Sequence, residues 1–175
     1  MILETIHETD LTATDEAQIS ALLNRAFASD YGDRSYYKQR PHLRLVARHD
    51  GRIVGHLCLV MRDIRLGEAL CPIIGVGDVA TDPDFRGAGT ASRLLDRAID
   101  LARASPARFM VLFGDRPLYA GHGFVKAGNR LTYPMLDEVR THGVITLVDP
   151  GLMVLPLRES RWDFAAPVDL VGHIF

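Results

Sequence analysis

The run Arg86-Gly87-Ala88-Gly89-Thr90-Ala91-Ser92 is the part of this sequence best suited to chemistry. It follows an apolar segment ending in Val79-Ala80-Thr81 and precedes a helical pattern. Glycines at such a junction let the backbone come close to a ligand. The first N–H groups of a helix have no partner inside the helix. With the helix dipole they form an anion site suited to a pyrophosphate, and Arg86 and Arg93 can add positive charge. A plain strand-to-helix turn would use the same glycines, so the pair alone does not decide. Two other phosphate signatures are absent. No Gly-Lys-Ser/Thr follows, as a Walker-type loop requires. The third glycine of the dinucleotide fingerprint is missing, and the unit does not open a βαβ run.

The elements around this loop can be read from periodicity. Ile2 to His7 suits a short first strand. Thr12 or Thr14 can cap a helix whose first turn holds Asp15 and Glu16, where the dipole favours acids. Ile19, Leu22, Leu23, Ala26 and Phe27 share one face of that helix. Ala28 to Pro41 reads as a polar, aromatic loop. Leu43 to Arg48 alternates apolar and basic residues, as a half-exposed strand does. Asp50-Gly51 is a tight-turn signal, so Arg52 to Arg62 completes a hairpin. A turn near Gly67 leads to a third strand, from about Leu70 to Thr81.

After the loop, Leu94, Leu95, Ala98, Ile99 and Ala102 mark the buried face of a helix. Arg108 to Phe113 is nearly all apolar, as in a central strand covered on both faces. Pro117 to Ala120 opens a short helix that Gly121 or Gly123 ends. Beyond Phe124 the pattern weakens, with strands expected at Val144 to Val148 and Leu152 to Leu157. No repeat or linker interrupts residues 1–175, so a single domain of the α+β (mixed α/β) class is expected.

Composition narrows the function classes. Hydrophobic residues make up 47% and charged residues 24%, ordinary values for a globular chain. A net charge of −2 argues against nucleic acid as the main partner. The two cysteines, Cys58 and Cys71, sit in apolar stretches, as core thiols of a reducing compartment do. No Cys/His set has zinc-ligand spacing, so no metal is expected. Met1 to Asp10 lacks the pattern of a signal peptide, and no apolar stretch is long enough to span a bilayer. A cytoplasmic location without membrane contact is expected.

Two motifs together carry a family resemblance. Arg-x-x-Gly-x-Ala, preceded by a strand and Asp82-Pro83-Asp84-Phe85, resembles the acyl-CoA-binding motif of the GNAT acetyltransferases. Downstream, Leu118-Tyr119-Ala120-Gly121-His122-Gly123-Phe124 resembles that family's Leu/Phe-Tyr-x-x-x-Gly-Phe segment. Their order and separation agree with the family, as does the element order over Ile2 to Phe124. The resemblance implies a central, mostly antiparallel twisted sheet with helices on both faces, and acetyl-CoA as acyl donor. Val79, Ala80 and Thr81 would pair with the pantetheine arm. Gly87, Ala88, Gly89, Thr90, Ala91 and Ser92, beside Arg86, would hold the pyrophosphate. Tyr119 matches the tyrosine that protonates the departing thiolate; a packing tyrosine at a helix-strand corner is the other reading.

The base is less legible. The family often carries Glu upstream on the cofactor strand, where Ile74-Gly75-Val76-Gly77-Asp78 has none. Asp78 is the only acid there. It suits a base working through water, an acid that orients the amine, or a solvated strand residue. His56 reads as a structural strand histidine, and His122 as a minor candidate beside Tyr119.

Two narrower resemblances concern the acceptor. Phe27-Ala28-Ser29-Asp30-Tyr31, the Tyr119 segment and Val154-Leu155-Pro156-Leu157 resemble the aminoglycoside 2'-N-acetyltransferases, which implies acceptor contacts at Asp30, Gly77 and Asp78. Arg40-Pro41-His42-Leu43-Arg44, His56-Leu57 and Arg62 to Gly67-Glu68 resemble the nodulation N-acyltransferases. Both point loosely to an amino sugar. Trp162, Asp163 and Phe164 are candidates for a cover over the acceptor cleft, for core, or for a subunit contact in a homodimer. The leading expectation is acetyl transfer to a small-molecule amine by direct attack. Its rivals are a non-catalytic CoA-binding module and an acyltransferase with a longer acyl donor.

Overall fold

The computed structural model describes residues 1–28 and 31–175. Asp30, a candidate acceptor ligand, lies outside the described residues. Strand β1 (Ile2–His7) pairs antiparallel with β2 (Leu43–His49), which forms a hairpin with β3 (Arg52–Leu66). Asp50 and Gly51 take φ of 47° and 77°, the left-handed pair that a two-residue hairpin needs. β3 runs 15 residues and pairs with β4 (Ala69–Thr81) along its length. β4 then pairs in parallel with β5 (Phe109–Phe113), which pairs antiparallel with β9 (Leu152–Pro156). β6 (Val125–Lys126) lies beyond β9. On the other side, the end of β3 meets the two-residue β10 (Val168–Asp169), followed by the hairpin of β7 (Arg130–Asp137) and β8 (Arg140–Val148). Among the described residues this is one curled ten-stranded sheet, antiparallel except at β4–β5 and β10–β7.

Helices pack on both faces. α1 (Ala13–Ala26) starts at Thr12, whose hydroxyl accepts from the Asp15 N–H at 3.1 Å. Its Ile19, Leu22 and Leu23 bury against Val46, Ile53 and Ala80. α2 (Thr90–Ala104) covers the opposite face with Leu94, Leu95, Ala98, Ile99 and Ala102, against Leu57, Leu59, Ile74, Val76, Met110 and Leu112. Each fully buried Leu or Ile contributes roughly 1.5–3 kcal/mol. The short α3 (Pro117–Gly121) leads into Phe124, which joins the same core.

Several expectations need correction. β2 is not half-exposed, because Arg44 is fully buried. Glu8, just after β1, takes it in a two-point ion pair, Nε–Oε2 2.6 Å and Nη2–Oε1 3.0 Å. Arg44 Nη1 also donates to the Ser35 carbonyl at 2.6 Å. Strand β7, unseen in the sequence, follows Phe124. Trp162 is core, not a cover: it packs edge-on to Phe109 at 5.0 Å and donates its indole N–H to Asn129. Phe164 is exposed.

The Arg44 knot sets a stability prediction. Burial alone would raise the Glu8 carboxyl, but hydrogen bonds from Arg44 and Arg40 outweigh it, so the net pKa lies below the ordinary range. A carboxyl depressed on folding stabilises above its unfolded pKa, and that contribution is lost as pH falls through the folded value. Glu8→Gln would leave a buried guanidinium without its counter-charge, at a cost of roughly 3 kcal/mol at neutral pH. In denaturant titrations the gap between the two proteins should narrow as pH falls below the ordinary carboxylate range, where Glu8 of the unfolded chain protonates first and that of the folded protein follows. A constant gap from pH 7 to pH 3 would mean that charge is not what the pair contributes.

Candidate active site

The β4–β5 ladder stops at Val76 and Leu112, while β3 stays paired with β4 as far as Thr81. From Gly77 to Thr81 the β5-facing edge of β4 therefore carries no ladder, and the two strands diverge. A cleft of about 810 Å³ fills the gap. Val79, Ala80 and Thr81 form one wall, Phe113 to Tyr119 the other, and Arg86 to Ser92 the outer end. The Thr81 hydroxyl is buried in this wall with no hydrogen-bond partner among the described residues. Such an orphan calls for a ligand group or water.

The outer end presents uncapped backbone donors at the start of α2. Gly87 and Gly89 have φ of 80° and 74°, which side chains rarely adopt. Gly89 is the N-cap of α2 and offers no side-chain cap, so the first-turn N–H groups of the helix remain open. A Cβ built at either glycine meets none of the described residues within 4 Å. At the inner end, the Tyr119 ring lies over Gly114, where a Cβ would approach it to 2.8 Å. None of the described residues bonds the Tyr119 hydroxyl, and burial raises its pKa. It therefore stays a protonated phenol at neutral pH. His122 turns away into a separate groove, with Nε2 3.0 Å from Ser92 Oγ and Nδ1 2.7 Å from the Leu118 carbonyl.

Asp78 sits on the other side of β4. A register shift between His56 and Cys58 inserts one extra residue into β4, and Asp78 takes φ of 49° within this bulge. The turn directs the carboxylate into the protein, so it is not a solvated strand residue. The Tyr31 hydroxyl donates to Oδ1 at 3.0 Å, and Cys58 Sγ lies 3.7 Å from Oδ2. Burial raises the Asp78 pKa despite these bonds and one from the Tyr37 N–H. His56 Nδ1 lies 2.9 Å from the Asp78 carbonyl, and burial pushes its pKa down to about 3. The ring is neutral and holds the bulge in place, a structural role. Gly77 joins Asp78 in a small pocket with Tyr37, Lys38, Cys58, His173 and Phe175.

Sequence reasoning missed Tyr31, Tyr37, His173 and Phe175 as neighbours of Asp78. The one available signal was Gly75-x-Gly77, which marks close approach to a strand.

The model of the acetyltransferase (GNAT) domain matches residues 9–127, more than half of the chain. The chain belongs to the GNAT acetyltransferase family. Its curated relatives agree. The "Uncharacterized N-acetyltransferase YjhQ" of Escherichia coli is 31% identical over 140 residues, 74% of each chain. The "Uncharacterized N-acetyltransferase YhbS" of the same organism is 32% identical over 120 residues, 66% of this chain and 71% of YhbS. The crystal structure of E. coli YhbS in complex with CoA superposes with a TM-score of 0.70 at 22% identity, covering 96% and 88% of the two chains. A GNAT acetyltransferase from Brucella melitensis in complex with acetyl-CoA gives 0.63 at 20% identity, covering 95% and 94%. The GNAT fold is thus established beside the family. Among the described residues, no helix of this acetyltransferase is long and apolar enough to cross a membrane.

Proposed function

We propose that this GNAT acetyltransferase moves an acetyl group from acetyl-CoA to a primary amine of a small molecule, with an amino sugar as the favoured class. The observation that carries the reading is one cleft with three parts in line: the unladdered edge of β4, the uncapped start of α2 and the Tyr119 hydroxyl. The pantetheine amides pair with Val79 to Thr81 as an added strand would, and Thr81 supplies a hydroxyl. The pyrophosphate rests on the N–H groups from Gly87 to Ser92, beside Arg86. The thioester then lies near the inner end, within reach of Tyr119.

The acceptor approaches from the Asp78 side. Its amine nitrogen forms the new C–N bond at the thioester carbon, and the C–S bond breaks. The nitrogen's proton passes to Asp78, directly or through one water, and Tyr119 supplies a proton to the thiolate. Asp78 must be ionised for this. Its pKa is raised, so activity should climb with pH through a value above the ordinary carboxylate range. Asp78→Asn should remove that limb and lower turnover on the order of 10²-fold. Thiol release from acetyl-CoA across a panel of primary amines, amino sugars included, tests the reading. Binding of acetyl-CoA with no turnover for any amine would replace it with a non-catalytic module, and preference for a longer acyl chain would change the donor.

A further inference from the structure

Gly75 and Gly77 leave the face of β4 away from α2 without side chains, and Phe175 occupies that space. A Cβ at Gly75 would lie 2.6 Å from the Phe175 ring, and one at Gly77 3.4 Å from the Phe175 backbone. Arg62 holds the segment leading to it. Nη1 donates to the His173 carbonyl at 2.6 Å, and the guanidinium stands 5.2 Å from the centre of the Phe175 ring. Gly172 passes so close that a Cβ there would meet Nη1 at 2.6 Å.

This seated segment closes the Asp78 side. The space left among Cys58, Gly77, Asp78, Tyr37 and Phe175 is about 10 Å³, room for one water. The Phe175 ring also stands edge-on to Phe113 at 5.6 Å, and Phe113 lines the cofactor cleft. The segment therefore fills the position from which an amine would reach the thioester.

We propose that residues 172–175 form a gate over the acceptor site, displaced when the amine binds, and that Arg62 and Phe175 select acceptors by setting the cost of displacement. The inference rests on the acyl-transfer reading above. If only a fraction of molecules is open, the apparent acceptor affinity falls by that fraction. Weakening the clamp removes this penalty for amines that need the gate open. Attack by water fits the closed pocket and needs no opening.

The test compares wild type with Arg62→Ala and Phe175→Ala. Amines of graded size are run as acceptors, with acetyl-CoA hydrolysis as the internal reference. For the bulky amines, kcat/KM relative to hydrolysis should rise about tenfold or more through KM, and least for the smallest amine. An unchanged or falling ratio would make Phe175 a fixed wall and overturn the gate. Amide exchange reads the seating without turnover. With CoA bound, residues 171–175 of Arg62→Ala should exchange at least about tenfold faster than in wild type, while β4 and β5 hold. Equal exchange overturns the gate even if no amine is a substrate. Faster exchange with no turnover in any of the proteins would count against the transferase reading instead. Phe175→Leu, with melting curves throughout, separates an opened gate from a damaged fold.

Discussion

Gly89→Glu should weaken CoA binding at least about 100-fold. Two effects add at this position. Any side chain there strains a backbone held at φ 74°, at a cost of about 1–2 kcal/mol. The glutamate also brings a negative charge to where the pyrophosphate is expected. At 4 Å, two charges near a protein surface interact by about 4 kcal/mol, and each 1.4 kcal/mol is a factor of ten in affinity. Salt and side-chain relaxation reduce that figure, which leaves a loss of two orders of magnitude or more. Gly89→Ala carries the strain without the charge, and its Cβ meets no protein atom within 4 Å. The difference between the two variants in calorimetric CoA titrations therefore isolates the electrostatic part. A folded Gly89→Glu protein that binds CoA as wild type does would place the cofactor elsewhere.

Tyr119→Phe should lower turnover on the order of 10²-fold, the usual scale for one general acid. The ring keeps its seat over Gly114 and beside Phe124, 6.2 Å away between centroids. Since none of the described residues bonds the hydroxyl, its removal should leave the melting temperature nearly unchanged. CoA affinity should stay within a few-fold, because a phenol serving as general acid would act on the leaving sulfur only as the C–S bond breaks. The effect therefore belongs in kcat, read by steady-state kinetics with the best acceptor from the panel. Full activity in the variant would mean that the thiolate leaves unaided or takes its proton from another group. His122 is a poor substitute, since its ring is engaged by Ser92 and the Leu118 carbonyl.

The parts proposed to hold the cofactor could be singled out from local sequence because they are local. A loop that opens a helix and a tyrosine three residues into a proline-led turn are read from neighbours in the chain. The surroundings of Asp78 are set by register and long-range packing, which leave little trace. Asp78 could be singled out as the sole acid of its strand. The inward turn of its carboxylate follows from a bulge against β3, a relation between two strands. The burial of Arg44 likewise depends on Glu8, 36 residues away. Fold boundaries behaved the same way. Asp50-Gly51 announced its hairpin, whereas Glu138-Val139 makes the β7–β8 turn with φ of 43° and 60° and no glycine. Pro134 within β7 hid that strand further.

The Arg44 knot has a bearing on how the two walls of the Asp78 pocket can move. Through Arg44, the polypeptide at Ser35 is fastened to Glu8, and Arg44 Nη1 stands 3.4 Å from His56 Nε2, whose ring braces the Asp78 bulge. Tyr31 closes the circuit at the carboxylate itself. Pulling this wall outward would strip a buried guanidinium of its partners, so its opening free energy should approach that of global unfolding. The opposite wall, residues 172–175, has no buried ion pair among the described residues: Arg62 holds the His173 carbonyl, and Ile174 and Phe175 pack against the neighbouring core. The pocket would then join two units of different opening energy. If residues 172–175 open as proposed, fluctuation would part the pocket on that side, and the Asp78 carboxylate would stay with the braced side.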